Sequence, residues 1–126
     1  RLASLGPRLR HPEQPLSAPA LKAVAGAMDG VVTGRMHLAI AALGQGRPVA
    51  GLTYQDKFQG LFRHFELPTD LLMPPSQVVE PDRLTDLLRR FHADLAELEA
   101  TVRRRLPQVQ ELALANLRDL LPPAGP

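Results

Sequence analysis

The sequence predicts an α/β fold: a parallel sheet flanked by helices, followed by a long C-terminal helical segment. Two observations carry this expectation. Between about residues 17 and 65, helical patterns and short β-branched runs alternate with brief connections, the rhythm of parallel βαβ units. From residue 84 onward apolar residues recur at spacings of three and four, the period of an amphipathic helix. The 126 residues suffice for one domain with its own core, and 44% hydrophobic against 22% charged residues exclude general disorder. With 4% aromatic residues and no Trp, that core has to be mostly Leu, Val and Ala.

Taken in order, Leu2, Leu5 and Leu9 fit either a helix end or a short strand, and the prolines of residues 11–15 mark a loop. Ser17 can cap a helix in which Pro19 sits early enough to be tolerated, with Leu21, Val24 and Ala25 as its apolar stripe. Gly26 to Gly30 ends it. Val31-Val32 is too brief for an edge strand and suits a buried parallel one. Residues 36–43 are apolar almost all round, which predicts a buried helix closed by Gly44-Gln45-Gly46. Residues 47–52 read as the next strand, with Pro48 at its entrance. Asp56 can cap a helix whose stripe is Phe58, Leu61, Phe62 and Phe65. A further short strand is expected around residues 71–73.

Pro81 then opens a long helix with Leu84, Leu88, Phe91, Leu95, Leu98 and Val102 on one face. Pro107 is expected to kink or split it, Val109, Leu112, Leu117 and Leu120 continue the apolar face, and the prolines after residue 121 stop it. The expected organisation is a partial α/β core over residues 1–80 and helices over residues 81–126 that pack on the same domain. Beginning at Arg1 with no initiator Met or signal-peptide pattern, the chain is expected to be part of a longer protein.

Composition narrows the chemistry. A net charge of +2 from fifteen basic and thirteen acidic residues is a poor match for a nucleic-acid partner. The absence of cysteine excludes disulfides, iron–sulfur clusters and thiolate zinc sites, and suits a reducing compartment. No apolar run is long enough to predict a transmembrane segment. No two His share a metal-ligand spacing, and there is no Walker loop, GxGxxG or GxSxG. His11, His64 and His92 fall in a loop and on partly exposed helices. Arg103-Arg104-Arg105, with Arg89 and Arg90, could meet an anion, but Asp94, Glu97 and Glu99 beside them make a solvated mixed-charge face the better reading.

Thr33-Gly34-Arg35-Met36-His37 directly follows the first strand. At the carboxyl ends of parallel strands, helix N-termini present free N–H groups and partial positive charge. A guanidinium and an imidazole there suit a phosphate or carboxylate and a proton transfer. Spacing alone admits equally a surface arginine and a polar histidine at a helix start. Tyr54 and Lys57 follow the second strand in the same way, as a pocket wall and an anion contact, or as loop and solvated residues around a capping Asp56.

The ordered set of these motifs is distinctive. Residues 29–37, the Ala-rich helix after them, Gly46-Arg47-Pro48-Val49, and Tyr54-Gln55-Asp56-Lys57 with Gly60 resemble the C-terminal half of the polysaccharide pyruvyl transferases. That family typically shows an Arg-Leu-His motif, a small-residue helix, a Gly-x-Pro-Val strand and a Tyr-Asp-x-Lys turn. The resemblance runs from about residue 17 to about residue 121, where Asn116, Leu117, Leu120 and Leu121 look like the family's terminal helix. Met36 stands for the usual Leu, a volume-conserving change, and Gln55-Asp56 stands where Asp-Pro is usual.

The resemblance implies a Rossmann-like sheet, the C-terminal domain of a glycosyltransferase-B-type fold, with an N-terminal domain as the other half of the cleft. It also implies a reaction: transfer of pyruvate from phosphoenolpyruvate to two hydroxyls of a sugar in a cell-surface polysaccharide or its lipid-linked precursor. His37 is then the general acid, with Arg35 and Lys57 as anion contacts. Thr33, Gly34, Met36 and Tyr54 are further substrate-binding candidates. No metal or organic cofactor is needed in such a scheme, and the expected location is cytoplasmic, at or near the inner face of the membrane. The isolated chain is expected to be inactive without its opposing domain. Two other readings compete: a nucleotide-sugar glycosyltransferase domain of the same architecture, and a non-catalytic helical interaction module on residues 81–121. The second requires the apolar stripe of those helices to be exposed.

Overall fold

The computed structural model describes residues 6, 8–53 and 56–118. Tyr54, Leu2, Leu5, Leu120 and the terminal prolines therefore lie outside the described residues. Three short strands, β1 (Val31–Thr33), β2 (Val49–Leu52) and β3 (Leu72–Met73), form a parallel sheet in the order β1-β2-β3. Val31 pairs with Val49 and Thr33 with Gly51, while Gly51 also pairs with Leu72 and Leu52 with Met73. Because all three run the same way, their carboxyl ends line one edge. The Thr53 N–H extends that edge by donating to the Met73 carbonyl at 2.8 Å.

The helices are α1 (Ala18–Ala27), α2 (Met36–Leu43), α3 (Asp56–His64), α4 (Pro75–Val78), α5 (Pro81–Ala93) and α6 (Leu95–Arg118), with a 3-10 turn at Thr69–Leu71. Ser17 caps α1, its hydroxyl accepting from the Ala20 N–H at 3.4 Å. α3 begins at Asp56, so this carboxylate sits in the first turn, where the helix dipole favours it, and not at the cap.

Two helix ends share one geometry with different residues. At the end of α2, the Arg47 N–H donates to the Ala42 carbonyl and the Gly46 N–H to Leu43, and Gly46 has φ +75°. After α3, the Leu67 N–H donates to Phe62 and the Glu66 N–H to Arg63, with Glu66 at φ +56°. Both are left-handed closures in which spare carbonyls receive N–H donors. Glycine fills the first at no steric cost. In the second, the Glu66 side chain instead engages Arg104 at 3.1 Å and Arg105 at 3.3 Å.

One core cluster joins the sheet to the C-terminal helices: Leu43, Val49 and Phe62 belong to it together with Leu87, Phe91, Leu98 and Val102. The stripe of residues 84–102 thus packs back on the α/β elements, so that part of the 81–121 segment is not free for an interaction module, whereas Leu112 and Leu117, expected to continue the buried face, are exposed.

Several expectations are corrected. Val31-Val32 is not a fully buried strand. With only β2 as a partner among the described residues, β1 lies at the sheet margin, and Val32 is 39% exposed. The α1 stripe is open as well: Ala25 is buried, but Leu21 and Val24 are not, and α1 packs chiefly on α2. α2 covers β1 and β2 with Ala39, Ala42 and Leu43, yet its opposite face is uncovered and leaves Ile40 and His37 exposed.

The long helix breaks at Asp94 and not at Pro107. Asp94 leaves helical geometry at φ −97°, ψ 5°, and Leu87 takes the buried place expected for Leu88. α6 runs through Pro107. Proline there removes the N–H that would bond the Arg103 carbonyl, four residues back. Both residues lie on the exposed side of the helix, where water can satisfy that carbonyl.

Candidate active site

The turn from β1 into α2 is built by three local constraints. Thr33 closes the strand and is buried, and its hydroxyl accepts from the Arg35 N–H at 3.0 Å. Its side chain therefore shapes the turn. Gly34 passes so close to β2 that a Cβ there would stand 2.7 Å from the Leu52 carbonyl oxygen; only glycine fits without a shift. Arg35 is the N-cap of α2 in an extended conformation, and its carbonyl accepts from the Ala39 N–H at 3.1 Å. No side chain caps the first turn, so its N–H groups remain open at the carboxyl edge of the sheet.

The outcome is an ordered display of side chains. Met36 turns inward against the core, while Arg35 and His37 on either side of it are exposed. Both line a cavity of about 670 Å³ between the starts of α1 and α2, over apolar walls from Leu21, Met36, Leu38 and Ala41. A third cationic group, Lys22, lines it from α1. Among the described residues, Lys22, Arg35 and His37 have no ion pair or side-chain hydrogen bond.

Lys57 and Gly34 lie elsewhere. They line a neighbouring hollow of about 370 Å³ with Thr53, Asp56 and Phe58, and Met36 is the residue common to both. The structure therefore brings Arg35, Met36 and His37 together, and sets Lys57 on the far side of Met36. The residue missed from the sequence is Lys22. A signal for it existed: in a helix–strand–helix alternation, α1 runs back against the strands, so its first turns meet the carboxyl edge.

The other cationic cluster is organised differently. A hollow of about 530 Å³ is lined by Arg83, Arg89 and Arg90 with Asp70 and Asp86. Here Arg90 pairs with Asp70 at 2.6 Å, Arg83 with Glu80 at 2.7 Å and Arg89 with Asp86 at 3.9 Å. Arg103 likewise binds Glu99 at 2.8 Å, and Arg105 donates to the His64 carbonyl at 3.3 Å. These arginines pair with carboxylates of the same chain on a solvent-exposed face, a mixed-charge surface in which Glu99 is the partner of Arg103 and Asp70 and Asp86 serve Arg90 and Arg89. Among the described residues no group of three or more His, Asp or Glu is placed to hold a metal ion.

No curated protein and no solved structure matches the chain. Residues 2–56 match the family model for polysaccharide pyruvyl transferase, so the family likeness read from the motifs holds over the stretch that carries Arg35-Met36-His37.

Proposed function

We propose that the chain contributes the acid- and anion-binding wall of a pyruvyl-transfer site, acting on phosphoenolpyruvate and a sugar with two neighbouring hydroxyls. The observation that carries this reading is the pair Arg35 and His37, without an ion pair or side-chain hydrogen bond among the described residues and lining one cavity, within the segment that matches the family model.

The chemistry uses each residue. His37 gives a proton to the methylene carbon of the enol, leaving a cation-like carbon between the carboxylate and the phosphate ester. A sugar hydroxyl attacks that carbon and loses its proton to the imidazole. The C–O bond to phosphate breaks, the phosphate departing with the electron pair. The second hydroxyl closes the ketal, and its proton leaves with the phosphate, so the products are the pyruvate ketal and hydrogen phosphate. Arg35 offers a fixed fork to the donor's anionic groups and offsets charge as phosphate leaves. Met36, packed inward, fixes the directions in which its neighbours point.

In this reading the acceptor is a cell-surface polysaccharide unit or its lipid-linked precursor, met on the cytoplasmic side, and a further domain would close the cavity opposite Arg35 and His37. Among the described residues no helix is long and apolar enough to cross a membrane. The test is titration of phosphoenolpyruvate into the full-length protein, the opposing domain included, with turnover followed as phosphate release in the presence of acceptor. Arg35→Ala should abolish saturable binding, and His37→Ala should retain binding but lose turnover. Binding of a nucleotide-sugar in place of phosphoenolpyruvate, displaced by the same substitutions, would replace this reading with glycosyl transfer.

A further inference from the structure

The cavity that holds Arg35 and His37 contains one more positive charge than the motif supplies. Lys22 reaches it from α1, in the helix's second turn, across from the start of α2. It has no carboxylate partner among the described residues, and no acidic residue lines the cavity. Neither α1 nor α2 carries an acidic residue in its first turn, so neither helix start supplies a counter-charge to the group. This contrasts with Lys57, the lysine favoured by the motif, which shares its separate hollow with Asp56.

We propose that Lys22 is a donor-binding residue: its ammonium holds the second anionic group of phosphoenolpyruvate while the Arg35 fork holds the first. The inference rests on the pyruvyl-transfer reading and deepens it. Phosphoenolpyruvate bears a phosphate ester and a carboxylate on the same carbon, and one guanidinium fork addresses one of them well. A lysine is a compact point charge on a flexible stem, suited to a phosphate that changes geometry as it leaves. Leu21, Leu38 and Ala41 line the same hollow as these charges, so an anion seated there meets apolar surface beside the cations. The two cations come from different helices, so the donor would bridge α1 and α2 and hold them in one arrangement.

The test compares Lys22→Gln, Lys22→Arg and Arg35→Ala with the unaltered protein, by calorimetric titration of phosphoenolpyruvate and by steady-state turnover. Lys22 is exposed and outside the core, so all three proteins should share one unfolding midpoint. Lys22→Gln should weaken donor binding about tenfold or more, as loss of a charge-assisted contact does, and raise KM with kcat changed by less than about threefold. Lys22→Arg should restore most of the affinity. If Lys22→Gln binds the donor like the unaltered protein while Arg35→Ala does not, the role of Lys22 is wrong and the pyruvyl-transfer reading stands. If the unaltered protein does not bind phosphoenolpyruvate, or Arg35→Ala binds it equally well, both fail together.

Discussion

The cations of this protein fall into two groups that differ in what they touch. In the C-terminal helices and the hollow beside them, Arg83, Arg89, Arg90, Arg103, Arg104 and Arg105 each lie within ion-pair distance of a carboxylate of the same chain. Between the starts of α1 and α2, Lys22, Arg35 and His37 line a cavity without such a partner among the described residues. Local density of positive charge would favour the first group as an anion site, since it contains three consecutive arginines. Pairing reverses that order. A charge already satisfied within the fold must give up its partner before it can bind a ligand, whereas an unpaired charge beside apolar walls gains most when an anion arrives.

The largest expected effect sets His37 against Arg105. Replacing His37 with Ala should lower kcat by about 10²–10⁴-fold, the usual contribution of a general acid. Arg105→Ala should leave kcat unchanged in the same phosphate-release assay. Equal losses in the two variants would erase the distinction between the regions.

Next is the core that the two regions share. Phe62 is fully buried in the cluster that also contains Leu87 and Val102, so Phe62→Ala should cost about 3–5 kcal/mol, read as a lower urea midpoint. Both regions should unfold in the same transition. Two separate transitions would mean that the C-terminal helices do not depend on the sheet.

Arg47 lies between the two groups in kind. Its Nε donates to the Gly26 carbonyl at 2.8 Å and its Nη1 meets Glu99 at 2.9 Å, joining the end of α1 to α6 from a half-buried position. Arg47→Ala should destabilise by about 1–3 kcal/mol, because the contacts are charge-assisted and partly shielded. The smallest effect is expected for Arg104→Ala. Its bond to Glu66 is solvent-exposed, and loss of such a pair changes stability by about 0.2–1 kcal/mol, less in high salt. A larger loss would show that the arginine run fastens α6 to α3 more firmly than exposed pairs do.

Much of the fold was legible in the residues themselves. The alternation of elements, Ser17 as a cap, the phenylalanine stripe of α3, the short strand ending at Met73 and the start of α5 at Pro81 follow from local steric and periodic rules. What local rules could not supply was coverage. The stripe Leu21, Val24 reads as buried, yet of these α1 residues Ala25 alone is buried and the larger side chains stay exposed. Proline propensity likewise pointed to Pro107, whereas the chain turned at Asp94 because Leu87, Phe91, Leu98 and Val102 all have to reach one core.

The candidate site divides along the same line. The residues alone placed a strand at Val31-Val32, a glycine soon after it, and Arg35 and His37 on either side of Met36 at the start of a helix. These outcomes depend on backbone sterics and on the alternation of faces at a helix start. That Lys22 shares their cavity and that Lys57 stands beyond Met36 came from the packing of separate helices. Which charges meet across a gap depends on how separate elements pack, and burial of apolar area, which drives that packing, has no preference for where the charged ends of side chains arrive.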